Sequence, residues 1–198
     1  MLAQFTHRLR QAATIRNLLL LFLLFIAFNL LVLPPLLAHF EALSNGVGLV
    51  DLLDSYTPDQ LYAHLANFDQ AGRHFYILHE LTLDVVYPLL SALLFGLAIA
   101  YHVKRALPAT SPLQYLGLLP FVLMGVDYLE NASLVIVLAA YPTRLEGVAR
   151  VANLFTLGKW SLSNLILLIL VVSVVGFWFQ KAYNAFVSTR IQAAGRPQ

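Results

Sequence analysis

Four stretches of this chain run for about 20 residues with almost no charge, the length an α-helix needs to cross a hydrocarbon core roughly 30 Å thick. They fall at about 18–37, 81–101, 113–140 and 162–179. Runs this long and this apolar read as membrane-spanning helices. Composition agrees, since 60% of the 198 residues are hydrophobic and 11% charged, against about 45 to 50% and roughly a quarter in soluble domains. That balance excludes a disordered chain and argues against a cytosolic enzyme. With Cys 0 there are no disulfides, thiolate nucleophiles or iron–sulfur clusters. No continuous basic face is present, so nucleic acid is not among the expected partners.

The fold class that follows is all-α: an integral membrane four-helix bundle with a short extracytoplasmic amphipathic helix between the first two spans. The bundle forms one transmembrane domain over 1–187, and a polar cytoplasmic tail follows at 188–198. Arg8, Arg10 and Arg16 precede the first run as they would in a signal peptide. The run is longer than the 7 to 15 apolar residues of such peptides, however, and Pro34-Pro35-Leu36 offers no small-x-small cleavage site, so it is expected to remain as the first helix.

Orientation comes from the basic residues, which are held on the cytoplasmic side during insertion. With four crossings, Arg8, Arg10, Arg16, Lys104, Arg105, Lys181, Arg190 and Arg196 share one side, and Arg73, Arg144, Arg150 and Lys159 fall on or toward the other. Both termini are therefore expected in the cytoplasm of a cell membrane. In the long loop after the first run, Thr57-Pro58-Asp59-Gln60 is a helix start, with a hydroxyl cap, a proline in the first turn and Gln60 three residues after the cap. It predicts a helix over 58–71 with Leu61, Leu65 and Phe68 on one face, ended by Gly72, and a second spanning helix starting near Arg73.

Ionisable residues inside a span are expensive and normally face the bundle interior. On the second span a helical step of 100° puts Arg73, Ile77, Glu80, Asp84, Tyr87 and Ser91 on one stripe. Pro88 cannot donate to the residue four back, which frees the carbonyl of Asp84 and predicts a kink there. The third span carries Asp127, Glu130 and Asn131 on one turn, with Pro120 on the same face freeing the carbonyl of Leu116. The fourth carries Thr156, Lys159 and Ser163. Counted outward from Pro142 at the turn, Asp127 and Lys159 lie at about the same level.

These residues predict a polar pocket in the outer half of the bundle, with Arg73, Glu80, Asp84, Tyr87, Asp127, Glu130, Asn131, Lys159 and Ser163 as candidate ligand-binding residues. Acids outnumber bases there, so the surplus calls for a proton, a cation or a ligand with hydrogen-bond donors. Were the pocket catalytic, Asp84, Asp127, Glu130 and Lys159 would be the groups to carry it. The histidines give no metal assignment: His74 and His79 are five apart, about 140° around a helix, and cannot chelate one ion as an i, i+4 pair does. No cofactor motif is present.

Tyr56-Thr57-Pro58, Gly72-Arg73, Leu83-Asp84 with Tyr87-Pro88, Asp127 with Glu130-Asn131, and Phe155-Thr156 with Lys159-Trp160 together resemble a family of small, uncharacterised bacterial four-span membrane proteins over about residues 50–165. The resemblance implies four spans and no particular activity. Three functions stay open: a binding or accessory protein for a cation, proton or amphiphilic small molecule, an intramembrane enzyme acting on a lipid-like substrate, and a small transporter that would need to oligomerise. Membrane lipids, and a second copy or another membrane subunit, are the partners such a chain would have.

Overall fold

The computed structural model describes residues 1–194, with side chains through Val187; the side chains of the tail at 188–198 and all of 195–198 lie outside the described residues. Every element among the described residues is helical. Four helical stretches are long and apolar enough to cross a membrane: Ile15–Leu43, Gln70–Ala106, Pro112–Ala140 and Glu146–Val187.

The first stretch follows a separate helix, α1 (Leu2–Ala12), which the charge count alone did not foretell. Helix α2 (Ile15–Ala27) starts where Thr14 Oγ1 accepts from the Asn17 amide. Pro34 and Pro35 have no N–H to offer, and one π-helical turn at Phe28–Val32 leads into them, with the Leu33 amide reaching back to the Phe28 carbonyl. Helix α3 (Leu33–Leu43) then carries the chain to the loop end of the bundle. Leu19, Leu23, Leu30 and Leu31 are exposed along this stretch, a surface that water disfavours and acyl chains accept.

The loop helix is shorter than expected. Helix α4 (Pro58–Leu65) has the full capping box, Thr57 and Gln60 satisfying each other's backbone amides. It ends at Leu65 rather than running to 71, because Asp69 starts a new helix, α5 (Gln70–Glu80), by accepting the Gly72 amide at 2.7 Å. Gly72 thus sits in the first turn of α5 instead of breaking a helix. A side chain there would press on Phe68 and Asp69 at 3.2 and 3.3 Å. The apolar face of the loop segment points inward as patterned: Leu61, Leu65 and Phe68 are buried with Leu134, Val137, Ala149 and Ala152. Helix α4 therefore caps one end of the bundle.

The second spanning stretch is two helices, not one. Helix α5 stops at Glu80 and α6 (Leu83–Ala106) begins after Thr82, whose backbone leaves helical geometry while its hydroxyl takes the Leu78 carbonyl at 2.6 Å. This break lies six residues before Pro88, which sits inside α6. The third stretch is a 3₁₀ segment, Pro112–Leu118, followed by α7 (Leu119–Ala140). Pro120 therefore stands in the first turn of α7, where a missing N–H is harmless, and the Leu116 carbonyl accepts from the Leu119 amide instead of being left free. Helix α8 (Glu146–Ala194) forms the last stretch.

Helix α1 and the Phe177 region of α8 both lie against the C-terminal part of α6. Leu9 and Ala13 pack on Leu97 and Ala100 of α6, and Lys104 donates to the carbonyls of Arg10 and Ala13 at 2.7 and 2.6 Å, placing a cation at the C-terminal end of α1. The His102 ring meets Phe177 of α8 at 5.6 Å.

Candidate functional site

The polar residues of α7 and α8 meet across the hairpin that joins them. Lys159 forms ion pairs with Asp127, at 3.4 Å, and with Glu130. Glu130 is fully buried and accepts from Thr156 Oγ1 at 2.6 Å through Oε1. Thr156 comes to it because 3.6 residues per turn place positions 156 and 159 on one side of α8. The Tyr56 hydroxyl lies 3.2 Å from Thr156 Oγ1. Burial pushes this phenol well above its ordinary pKa, outweighing the opposing effect of the Thr156 bond, so Tyr56 stays a neutral hydroxyl.

Between α6 and α7, Asn131 Nδ2 donates to Asp84 Oδ2 at 2.7 Å and to the Asp84 carbonyl at 3.1 Å. Tyr128 donates to the next carbonyl, that of Val85, at 2.8 Å. In front of these groups lies a cavity of about 340 Å³, within the size range of small-molecule sites. All four spanning stretches and the loop line it. Its ionisable residues, Asp51, His79, Asp84, Asp127 and Lys159, stand toward the loop among Leu49, Leu52 and Trp160; Tyr87, Ser91 and Ser163 follow, and the lining around Ala92, Phe95, Leu123 and Met124 carries no charge. From Asp84 to Phe95 on α6 the wall extends about 16 Å at 1.5 Å per residue.

The loop reaches the cavity because three bonds pin it. Tyr56 donates its amide to Asn153 Oδ1 at 2.8 Å, Trp160 Nε1 donates to the Leu53 carbonyl at 3.0 Å, and the Val50 amide donates to the Tyr76 hydroxyl at 2.8 Å. Tyr76 in turn donates to Asp51 Oδ1 at 2.9 Å. Asp51 thereby stands beside His79 and Glu80, with one donor atom from each of the three lying within 4.8 Å of the others. His79 is held edge-on to Phe40, ring centroids 5.0 Å apart.

Of the nine residues read from the sequence as the pocket, five line the cavity: Asp84, Tyr87, Asp127, Lys159 and Ser163. Glu130 and Asn131 do not. They stand behind the wall, and their side chains brace Lys159 and Asp84. Glu80 does not line the cavity: the break at Leu81–Thr82 takes α5 out of register with α6, and Glu80 lies behind Asp51 and His79, which do line it. Arg73 leaves the site altogether, lying 4.2 Å over the Tyr141 ring and donating to the Phe68 carbonyl. The surplus of acid is larger for it: Asp51, Asp84, Asp127 and Glu130 lie around Lys159, and Glu80 stands beside Asp51. Asp51 and Tyr76 are not marked by the sequence as site residues, Tyr56 enters only through the family resemblance, and His79, set aside as a partner for His74, instead stands with Asp51 and Glu80. One signal for Asp51 was available, an acid set inside the apolar run Leu49-Val50-Asp51-Leu52-Leu53, which a solvated loop has no reason to keep.

Comparison of the chain with family models, curated proteins and solved structures finds no match.

Proposed function

We propose that this chain is a multi-pass protein of a bacterial cell membrane, with cytoplasmic termini, that binds an amphiphilic small molecule such as a lipid or isoprenoid. The head group, cationic or rich in hydroxyl donors, lies against Asp84 and Asp127 beside Lys159, and the tail lies along Ala92, Phe95, Leu123 and Met124. The observation that carries this reading is one mostly apolar cavity whose charged residues are confined to the loop side, while the lining about 16 Å further along α6 has none. A cavity for a bare ion would have no use for the apolar end, and one for a hydrocarbon would have none for the acids.

Protein taken from the membrane into nanodiscs with its native lipids, then extracted and analysed by mass spectrometry, is expected to carry such an amphiphile in stoichiometric amount. Ala92→Phe, which fills the apolar end, is expected to reduce the recovered amphiphile about tenfold, equivalent to about 1.4 kcal/mol of binding. A wild-type protein that carries nothing beyond the bulk lipid composition overturns the reading. Turnover of the recovered molecule, lost in Asp127→Asn, would instead make the chain an intramembrane enzyme.

A further inference from the structure

Glu80 is 1% exposed, and neither of its carboxylate oxygens receives a hydrogen bond. A buried carboxylate in that state is strongly disfavoured unless a positive charge stands beside it. No lysine or arginine pairs with it among the described residues; its neighbours are a second acid, Asp51, and His79, whose Nδ1 is also buried without a partner. Two carboxylates and an imidazole converging with unused lone pairs make a donor set for a cation.

We propose that Asp51, His79 and Glu80 bind a divalent cation of the zinc class on the loop side of the cavity. One oxygen each from two acids and one imidazole nitrogen are ligands that Zn²⁺ accepts at about 2.0 to 2.2 Å, which sets neighbouring donors roughly 3.5 Å apart. The three donor atoms already lie within 4.8 Å of one another, so side-chain adjustment alone closes them on an ion. The surroundings are those of a metal site. Tyr76 donates to Asp51 Oδ1 and holds the carboxylate in place, and Phe40 fixes the imidazole plane. Asp51 and His79 both line the cavity, which supplies an entry path and leaves a fourth coordination position facing the ligand space. A dication also offsets two of the surplus negative charges gathered around Lys159. The cation site stands whether or not the cavity holds an amphiphile.

Untagged protein, purified in detergent and stripped with a chelator, is titrated with ZnCl₂ by calorimetry and its metal content read by mass spectrometry after dialysis. One equivalent per chain is expected. Glu80→Gln and His79→Gln are each expected to weaken binding about 100-fold or more, and Tyr76→Phe, which keeps the ring and removes the bond to Asp51, about tenfold. Zinc X-ray absorption of the loaded wild type is expected to show one imidazole nitrogen with oxygen ligands, a readout that does not depend on any variant folding. The proposal is overturned if the wild type retains no stoichiometric zinc, since Asp51 and Glu80 would then share a proton instead. It is equally overturned if zinc is retained undiminished by Glu80→Gln and His79→Gln, which would place the ion on exposed histidines.

Discussion

The side-chain amide of Asn131 on α7 donates to two oxygens of Asp84 on α6, the carboxylate Oδ2 at 2.7 Å and the backbone carbonyl at 3.1 Å. The carbonyl needs that partner because Pro88, four residues on, has no N–H to give it. A proline in one helix and an asparagine in the next are thus a matched pair, and the bond they share sits at the edge of the cavity.

Asn131→Leu keeps much of the volume and removes both bonds. It leaves a half-buried carbonyl and a half-buried carboxylate oxygen without their partner, and is expected to destabilise the protein by about 1 to 3 kcal/mol in denaturant titration of the detergent-solubilised form. Pro88→Ala restores an N–H to the Asp84 carbonyl. In the double variant part of the loss should return, with a coupling of about 1 kcal/mol in the cycle. Strict additivity of the two changes would dissociate the proline from the asparagine.

Lys159 stands between Asp127 and Glu130, and Glu130 is fully buried. Lys159→Met leaves both carboxylates without a counter-charge and is expected to cost about 3 to 5 kcal/mol. Adding Glu130→Gln removes one of the stranded charges while an acceptor for the Thr156 hydroxyl remains, and should recover part of that loss. Thermal unfolding followed by circular dichroism separates the cases. A double variant less stable than Lys159→Met alone would show that the carboxylate of Glu130 is held by something other than the lysine.

Gly96 allows α6 to lie against the segment before α7. A Cβ at position 96 would stand 2.8 Å from Phe121 Cε2 and 2.9 Å from the Gly117 carbonyl, and the latter belongs to backbone that cannot turn aside. Gly96→Ala is expected to destabilise by about 1 to 3 kcal/mol through overpacking. Gly125→Ala, on α7 with nothing within 4 Å of the new carbon, should be neutral or stabilising by up to about 1 kcal/mol, because alanine is the better helix former. Equal effects at the two positions, measured by SDS-induced unfolding, would remove the close approach as their cause.

Much of this molecule could be read without a structure. The apolar runs announce the spans because a helix crossing hydrocarbon must be apolar for about 20 residues. The Thr57-Gln60 capping box is a property of four consecutive residues, and it forms as written. Acids on one turn of a spanning helix must face protein, and Asp127 and Glu130 do, meeting Lys159. A regular 100° step misplaces side chains wherever the helix it assumes stops. Arg73, Glu80 and Asp84 share a stripe only on an unbroken helix, and Thr82 interrupts it.

By itself, then, the sequence determined the number of spans, the start of the loop helix and the excess of carboxyl groups in the bundle, since each depends on residue type and short-range periodicity. The tertiary structure alone decided which of those carboxyls face the cavity and which brace it from behind. It alone brought Asp51 from the loop to His79 and Glu80, and it alone turned Arg73 away toward Tyr141. Those outcomes depend on the break between α5 and α6 and on where Asn153, Trp160 and Tyr76 pin the loop, through bonds between residues 26 to 107 positions apart. No local pattern encodes pairings at that separation.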